Sequence, residues 1–222
     1  MSGVIGMAKA FDRKKQALMV NDLLEKQYHN ATTALNFSNP LELLVATILS
    51  AQCTDKKVNM VTERLFKKYK TAKDYANADI KKLEQEIRPT GFFHNKARNI
   101  MGCCQVLVEK FSSKVPRTME EMLQLPGVGR KTANIVLGHA YGVVEGVAVD
   151  THVRRVAKRL GLTDNDDPDK IERDLIEVVQ KENWMRITDL LISLGRQICV
   201  ARKPKCEICV LNKICPSAFT FD

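Results

Sequence analysis

No apolar run in this chain approaches the ~20 residues that a membrane-crossing helix needs, so a transmembrane role is not expected. The first twelve residues hold no long apolar stretch and no small-residue cleavage site, so a secretory signal is not expected. Lys9 is their one basic residue and leaves a short organellar address open. Tandem repeats and low-complexity linkers are missing, and strand-like alternation is scarce. The seven cysteines are an odd number, and without a secretion signal a disulfide framework is not expected. Grouped cysteines then read best as ligands of a metal or cluster.

A surplus of positive charge is present. Lys and Arg number 35 against 26 Asp and Glu, a net charge of +9. That favours a polyanionic partner, although a basic surface without a ligand fits the number equally well. The 222 residues suffice for one large domain or two small ones, and 45% hydrophobic with 27% charged residues is ordinary for a globular protein.

The periodicity is helical nearly throughout, and the expected fold class is all-α. Leu18, Val20, Leu23 and Leu24 place an amphipathic helix over Lys14–Lys26. Asn39-Pro40, with Glu42 three residues after Asn39, reads as a capped start for the apolar run Leu43–Leu49. A further helix is expected after Thr54, with Val58, Val61 and Leu65 inward. Lys96–Phe111 carries Ala97, Ile100, Met101, Cys104, Leu107 and Phe111 at helical spacing. Asp167-Pro168 starts a helix that turns Ile171, Leu175 and Val178 inward, and Thr188 is expected to start the last.

Two stretches of the second half carry chemistry. Leu125-Pro126-Gly127-Val128-Gly129-Arg130-Lys131-Thr132 separates two helical patterns. Gly127 and Gly129 can both take positive φ and leave backbone N–H groups bare beside a helix N-terminus, which makes a nest for phosphate. Such a nest grips a nucleic-acid backbone without reading its sequence. Gly-x-Gly alone would be an ordinary turn; the longer run in a basic chain favours DNA. Lys131 falls in the first helical turn, where the positive dipole end disfavours a cation. A free lysine, with a pKa near ~10.4, is almost wholly protonated at neutral pH, and desolvation or nearby positive charge frees its lone pair for nucleophilic attack. Taken by itself, Lys131 reads more simply as a phosphate contact. Asp150, in Val147-Ala148-Val149-Asp150-Thr151-His152, precedes another helical pattern and is a candidate N-cap. A fixed carboxylate there can also stabilise a cationic sugar.

The second stretch is Cys199, Cys206, Cys209 and Cys215, spaced C-x6-C-x2-C-x5-C. Four thiolates this close require a cationic centre, and spacing leaves zinc and a [4Fe–4S] cluster both open. Arg202, Lys203, Lys205 and Lys213 interleave with them, able to offset cluster charge or to reach phosphates.

These residues together resemble the helix-hairpin-helix family of DNA glycosylases over roughly Asp12–Pro216. The likeness is carried by Thr33-Ala34-Leu35-Asn36-Phe37-Ser38, Leu49-Ser50-Ala51-Gln52-Cys53-Thr54-Asp55, Gly91-Phe92-Phe93, the Lys131 hairpin, Val149-Asp150-Thr151-His152 and the cysteine quartet. It implies two helical domains flanking a DNA-binding cleft: a six-helix domain over 33–144, and a cluster domain from 1–32 plus 145–222 with its loop at 199–215. The implied activity is base-excision repair, as a bifunctional glycosylase and abasic-site lyase on oxidised pyrimidines in duplex DNA. Lys131 would attack C1′ and form a Schiff base, and Asp150 would support it. Gln52 matches a residue inserted toward the orphaned partner base, and Phe92 an apolar wedge that is often leucine. Gly127, Gly129, Arg130, Thr151, His152, Arg202, Lys203 and Lys205 are the further expected DNA contacts. The resemblance also selects a [4Fe–4S] cluster for the four cysteines. Cys53, Cys103 and Cys104 remain as reduced thiols, His139 as a surface residue, and Asp55 as either a second acid or a first-turn carboxylate. A monomer is expected, in the cytoplasm with the DNA and at the nucleoid if the source is prokaryotic. Adenine and 8-oxoguanine glycosylases are disfavoured because they usually lack the lysine or the quartet. A non-catalytic DNA-binding module would not need both Lys131 and Asp150.

Overall fold

In the computed structural model, backbone is described for residues 2–221 and side chains for residues 13–221. Met1 and Asp222, the expected ends of the cluster domain, and the side chain of Lys9 lie outside these. The fold is all-α, with helix over 62% of the chain and, among the described residues, no strand. Its helices are α1 (Ser2–Gln27), α2 (Pro40–Leu49), α3 (Asp55–Lys68), α4 (Ala72–Ala76), α5 (Ile80–Ile87), α6 (Phe93–Lys110), α7 (Met119–Met122), α8 (Arg130–Tyr141), α9 (Thr151–Arg159), α10 (Pro168–Val178) and α11 (Trp184–Gln197). Among the described residues no helix is long and apolar enough to cross a membrane. The chain divides into two compact units, residues 33–145 and residues 1–32 with 146–222.

The 33–145 unit is built around α2. Asn39 accepts the Glu42 N–H at 3.0 Å, while Glu42 Oε2 accepts from the Ser38 N–H at 2.6 Å, so the helix starts where its cap residues dictate. Leu43 to Leu49 are all buried, which explains the nearly unbroken apolar run. Around it pack Val58, Val61 and Leu65 of α3, Leu83 and Ile87 of α5, and Ala97, Ile100, Cys103, Cys104 and Leu107 of α6. Helix α6 starts at Phe93, three residues before the expected Lys96, and Met101 and Phe111 are only partly buried. Helices α4 and α5 have short caps of their own. Thr71 and Asp74 form a reciprocal capping box, and Asp79 accepts from the Lys81 and Lys82 N–H groups.

The other unit has its own core, formed by Ala17, Val20 and Leu24 of α1, Val153, Val156 and Ala157 of α9, Ile171 and Leu175 of α10, and Ile187, Leu190, Leu191 and Leu194 of α11. In α1 the inward stripe is Ala17-Val20-Leu24; Leu18, expected on the apolar side, is 45% exposed. The three-four spacing starts from the small Ala17, which hydropathy alone undervalues. Val178 is partly buried, and its neighbour Val179 enters the core. The last helix starts at Trp184 rather than Thr188, whose hydroxyl donates to the Trp184 carbonyl at 3.2 Å. A threonine that returns its hydroxyl to the preceding turn is satisfied inside a helix and need not cap one.

Candidate active site

The hairpin joins α7 to α8. Gly127 has φ +75, and a Cβ there would lie 2.7 Å from Asn99 Cβ, so both its conformation and its space require glycine. Gly129 differs from expectation: its φ is −101 and ψ 177, ordinary extended backbone at the N-cap of α8, with nothing within 4 Å of a Cβ. The residue before a helix takes extended geometry, so Gly129 contributes bareness, not positive φ. No side chain of its own caps α8, and the first turn presents its N–H groups beside an exposed backbone. Arg130 and Lys131 follow in that turn, both exposed. Burial within the protein therefore does not desolvate Lys131.

In the other unit Asp150 caps α9. Its Oδ1 accepts from the His152 N–H at 2.8 Å and the Val153 N–H at 2.7 Å. The carboxylate is thus oriented by backbone and favoured by the helix dipole. Thr151 is exposed beside it. His152 is half-buried, with Nδ1 3.1 Å from the Arg155 guanidinium. Burial pushes its pKa below 6.5, against the raising influence of Asp150, which suits a neutral supporting imidazole better than a proton carrier. Asp55 is a first-turn residue of α3. His139, expected at the surface, is half-buried.

Gln52 and Phe92 are both exposed, and both hold left-handed backbone, at φ 53 and 47. Such strain costs about 1–3 kcal/mol at each non-glycine residue and persists only where surrounding structure imposes it. Both line an open cavity of about 180 Å³ with Asn95, Lys96, Asn99, Gly127 and Thr132. Phe92 is 62% exposed, an apolar ring presented to solvent.

The four cysteines surround one cavity walled by Leu160, Leu194 and Ile198. Among the described residues, no three His, Cys, Asp or Glu side chains are placed to hold a single ion. Four thiolates on one zinc at about 2.3 Å would converge to within about 4 Å of each other; here they stand around a mostly apolar space, a soft donor set suited to a cluster. Two arginines of α9 tie this loop down. Arg155 donates to the Gly195 and Cys199 carbonyls at 2.9 and 3.1 Å. Arg159 donates to Cys199 Sγ at 3.3 Å and to the Val200 and Ala201 carbonyls, and its guanidinium lies 4.1 Å from the Phe221 ring centre. Arg202, Lys203 and Lys205 are exposed on the loop. Cys103 is buried, its thiol pushed up to about 12 by desolvation, and Cys104 is buried and raised further; neither is a nucleophile at neutral pH. Cys53 is half-buried.

Sequence reasoning missed Arg155, Arg159 and Lys96. Arg155 and Arg159 lie off the Val153-Val156-Ala157 face of a helix that also carries Arg154 and Lys158, so no local signal sets them apart. Lys96 falls on the inward stripe of α6 with Ile100 and Leu107, and a cation in that apolar register is a readable signal.

Residues 45–181 match the HhH-GPD superfamily of base excision DNA repair proteins, and residues 199–215 match the iron-sulfur binding domain of endonuclease III. The endonuclease III of Synechocystis sp. is 50% identical over 212 residues, 96% of this chain and 97% of that one. That of Bacillus subtilis is 44% identical over 90% of this chain and 92% of its own. A solved non-covalent endonuclease III–DNA complex superposes with a TM-score of 0.88 at 45% identity, covering 92% of this chain and 96% of that chain. A trapped endonuclease III–DNA covalent intermediate, described as an estranged-adenine complex, matches equally, with TM-score 0.88. The chain belongs to the endonuclease III family, whose members are DNA glycosylases with abasic-site lyase activity, and its cysteine loop holds a [4Fe–4S] cluster.

Proposed function

We propose that this chain excises oxidised pyrimidines from duplex DNA and then cuts the strand, with Lys131 as nucleophile and Asp150 as the supporting anion. The observation that carries the assignment is the Lys131 amine, exposed in the first turn of α8 directly behind the bare Gly127–Gly129 backbone. A phosphate held by those N–H groups would bring the sugar of a flipped nucleotide to the amine and cover it from water. A saturated pyrimidine ring stacks poorly, so its extrusion costs less than the few kcal/mol of a normal base.

The Lys131 lone pair bonds C1′ as the N-glycosidic bond breaks. The base leaves with the bonding pair and takes up a proton, while the nitrogen loses one. Asp150 offsets the positive charge that builds on the sugar in this step. Ring opening gives a Schiff base; loss of a C2′ proton then expels the 3′-phosphate by β-elimination, and water returns the amine.

Gln52 fills the vacated stack opposite the orphaned base and Phe92 wedges beside it. Burying a phenyl group is worth about 1.5–3 kcal/mol, which offsets part of the unstacking. His152 supports Asp150. Gly127, Gly129, Arg130, Thr151, Arg202, Lys203 and Lys205 hold phosphates, so binding should weaken with a log–log salt slope of about −0.9 per phosphate neutralised. The cluster binds to Cys199, Cys206, Cys209 and Cys215 and fixes the shape of the basic loop. The protein acts as a monomer in the cytoplasm with the DNA, at the nucleoid in a prokaryotic cell.

Borohydride added to the protein on a thymine-glycol duplex should leave Lys131 joined to the cut strand. An adduct mapped by mass spectrometry to another side chain, or undiminished cleavage by Lys131→Ala, refutes the assignment.

A further inference from the structure

Two of the left-handed residues of the 33–145 unit, Gln52 and Phe92, follow turns that one buried cation bonds. Lys96 on α6 is 4% exposed. Its Nζ donates to the Leu49 carbonyl at 2.8 Å and to the Thr90 carbonyl at 2.8 Å. Leu49 is the last residue of α2 and stands three residues before Gln52; Thr90 ends a short 3-10 turn and stands two before Phe92. An ammonium at the C-terminal end of α2 meets carbonyls that have no partner within the helix and complements the dipole. Because one nitrogen serves both bonds, the two carbonyl oxygens stay within two hydrogen-bond lengths of each other. A methionine would fill the same apolar stripe without the desolvation that a buried cation costs. The charge therefore answers a need other than packing.

We propose that Lys96 is a positioning residue that clamps the Gln52 and Phe92 turns together, so that both side chains enter the duplex as one preset unit. The clamp rests on the reading that both side chains enter DNA. Left-handed backbone at two exposed residues is a sparsely populated state; without a tie each turn relaxes separately, and the spacing between the two side chains is lost. A base expelled from the stack is then replaced on one side only, and it returns before chemistry.

The test compares the full cluster-loaded wild type with Lys96→Met, Gln52→Ala and Phe92→Ala. One duplex carries thymine glycol opposite 2-aminopurine, and a second carries a preformed abasic site. Lys96→Met should lower base excision about 10- to 100-fold and abolish the 2-aminopurine fluorescence rise, while cleavage at the preformed abasic site falls by a far smaller factor. A merely structural lysine would lower both activities together. Excision within about twofold of wild type, or equal losses on the two duplexes, overturns the clamp. Where Lys96→Met does not fold, hydrogen exchange on the wild type decides. The Cys53 and Gly91 amides should lose protection at the same urea concentration, as members of one opening unit, and separate loss overturns the clamp. Wild-type excision with no effect of Gln52→Ala or Phe92→Ala instead refutes the entry of these side chains into DNA, and the clamp with it. A wild type that excises nothing refutes the proposed function itself.

Discussion

Replacing Gly127 and Gly129 separately with alanine distinguishes the hairpin glycine required by conformation and space from the one required by neither. At φ +75 an L-residue carries about 1–2 kcal/mol of backbone strain. The added methyl would also sit 2.7 Å from both Cβ and Cγ of Asn99. Asn99 Cβ is fixed by the backbone of α6, so a rotamer change cannot clear it, and overpacking of this kind costs about 1–3 kcal/mol. The combined loss of about 2–5 kcal/mol is a large part of the 5–15 kcal/mol that holds a typical domain folded. Gly129→Ala should behave differently. Its backbone is extended and its Cβ meets nothing within 4 Å, so its stability should stay within about 0.5 kcal/mol of wild type. If Gly129 approaches a phosphate closely, the same methyl should weaken duplex binding. Urea unfolding of both variants, with fluorescence anisotropy on a lesion duplex, measures the two effects. Equal destabilisation by both substitutions would refute the assignment of different roles. So would a double variant with Asn99→Gly that recovers none of the Gly127→Ala loss.

Asp150→Asn keeps a good N-cap and removes the charge; stability should change by less than about 1 kcal/mol while excision falls about 100- to 1000-fold, and urea melts beside single-turnover rates check this. Asp150→Ala should add about 1 kcal/mol of destabilisation to the same catalytic loss. His152 has its pKa lowered by burial, so the unfolded chain binds the proton more readily. Its contribution is present above pH 6.5 and fades as pH falls below that value, and His152→Gln should flatten this part of the stability profile against pH. Arg159→Ala removes a charged donor from Cys199 Sγ and two loop carbonyls, and the visible absorbance of the cluster should decay several-fold faster under ferricyanide; an unchanged half-life would contradict a protective role for the guanidinium.

Much of this was legible because it is local. Asn39-Pro40 with Glu42 specifies a helix start within four residues, and the structure places the cap there. Asp150 and Asp167 were readable as caps for the same reason. The quartet is readable from spacing, although the choice of cluster over zinc needed the family. What escaped depends on distant partners. Lys96 bonds carbonyls 47 and 6 residues away, and Arg159 reaches Cys199 40 residues on. Nothing near Gln52 or Phe92 in the chain forecasts left-handed backbone, because packing imposes it against intrinsic preference. Gly127 and Gly129 look alike in sequence since glycine serves both positive φ and close approach; only the Asn99 contact tells them apart. The desolvation of Lys131 considered from the sequence is not supplied by burial in the protein, where the residue is exposed.

The residues proposed to act at the lesion site share one local placement. Phe92 is the N-cap residue of α6, Lys131 lies in the first turn of α8, Asp150 is the N-cap of α9, and Gln52 stands two residues before the N-cap of α3. Such an end carries roughly half a positive charge; at α8 no side chain caps its N–H groups, whereas at α9 Asp150 already accepts from two. The dipole favours negative charge near such an end, which suits a phosphate at α8 and the carboxylate that caps α9. Amphipathic periodicity sets where each helix runs, but the chemistry depends on which residue falls within a turn of its beginning.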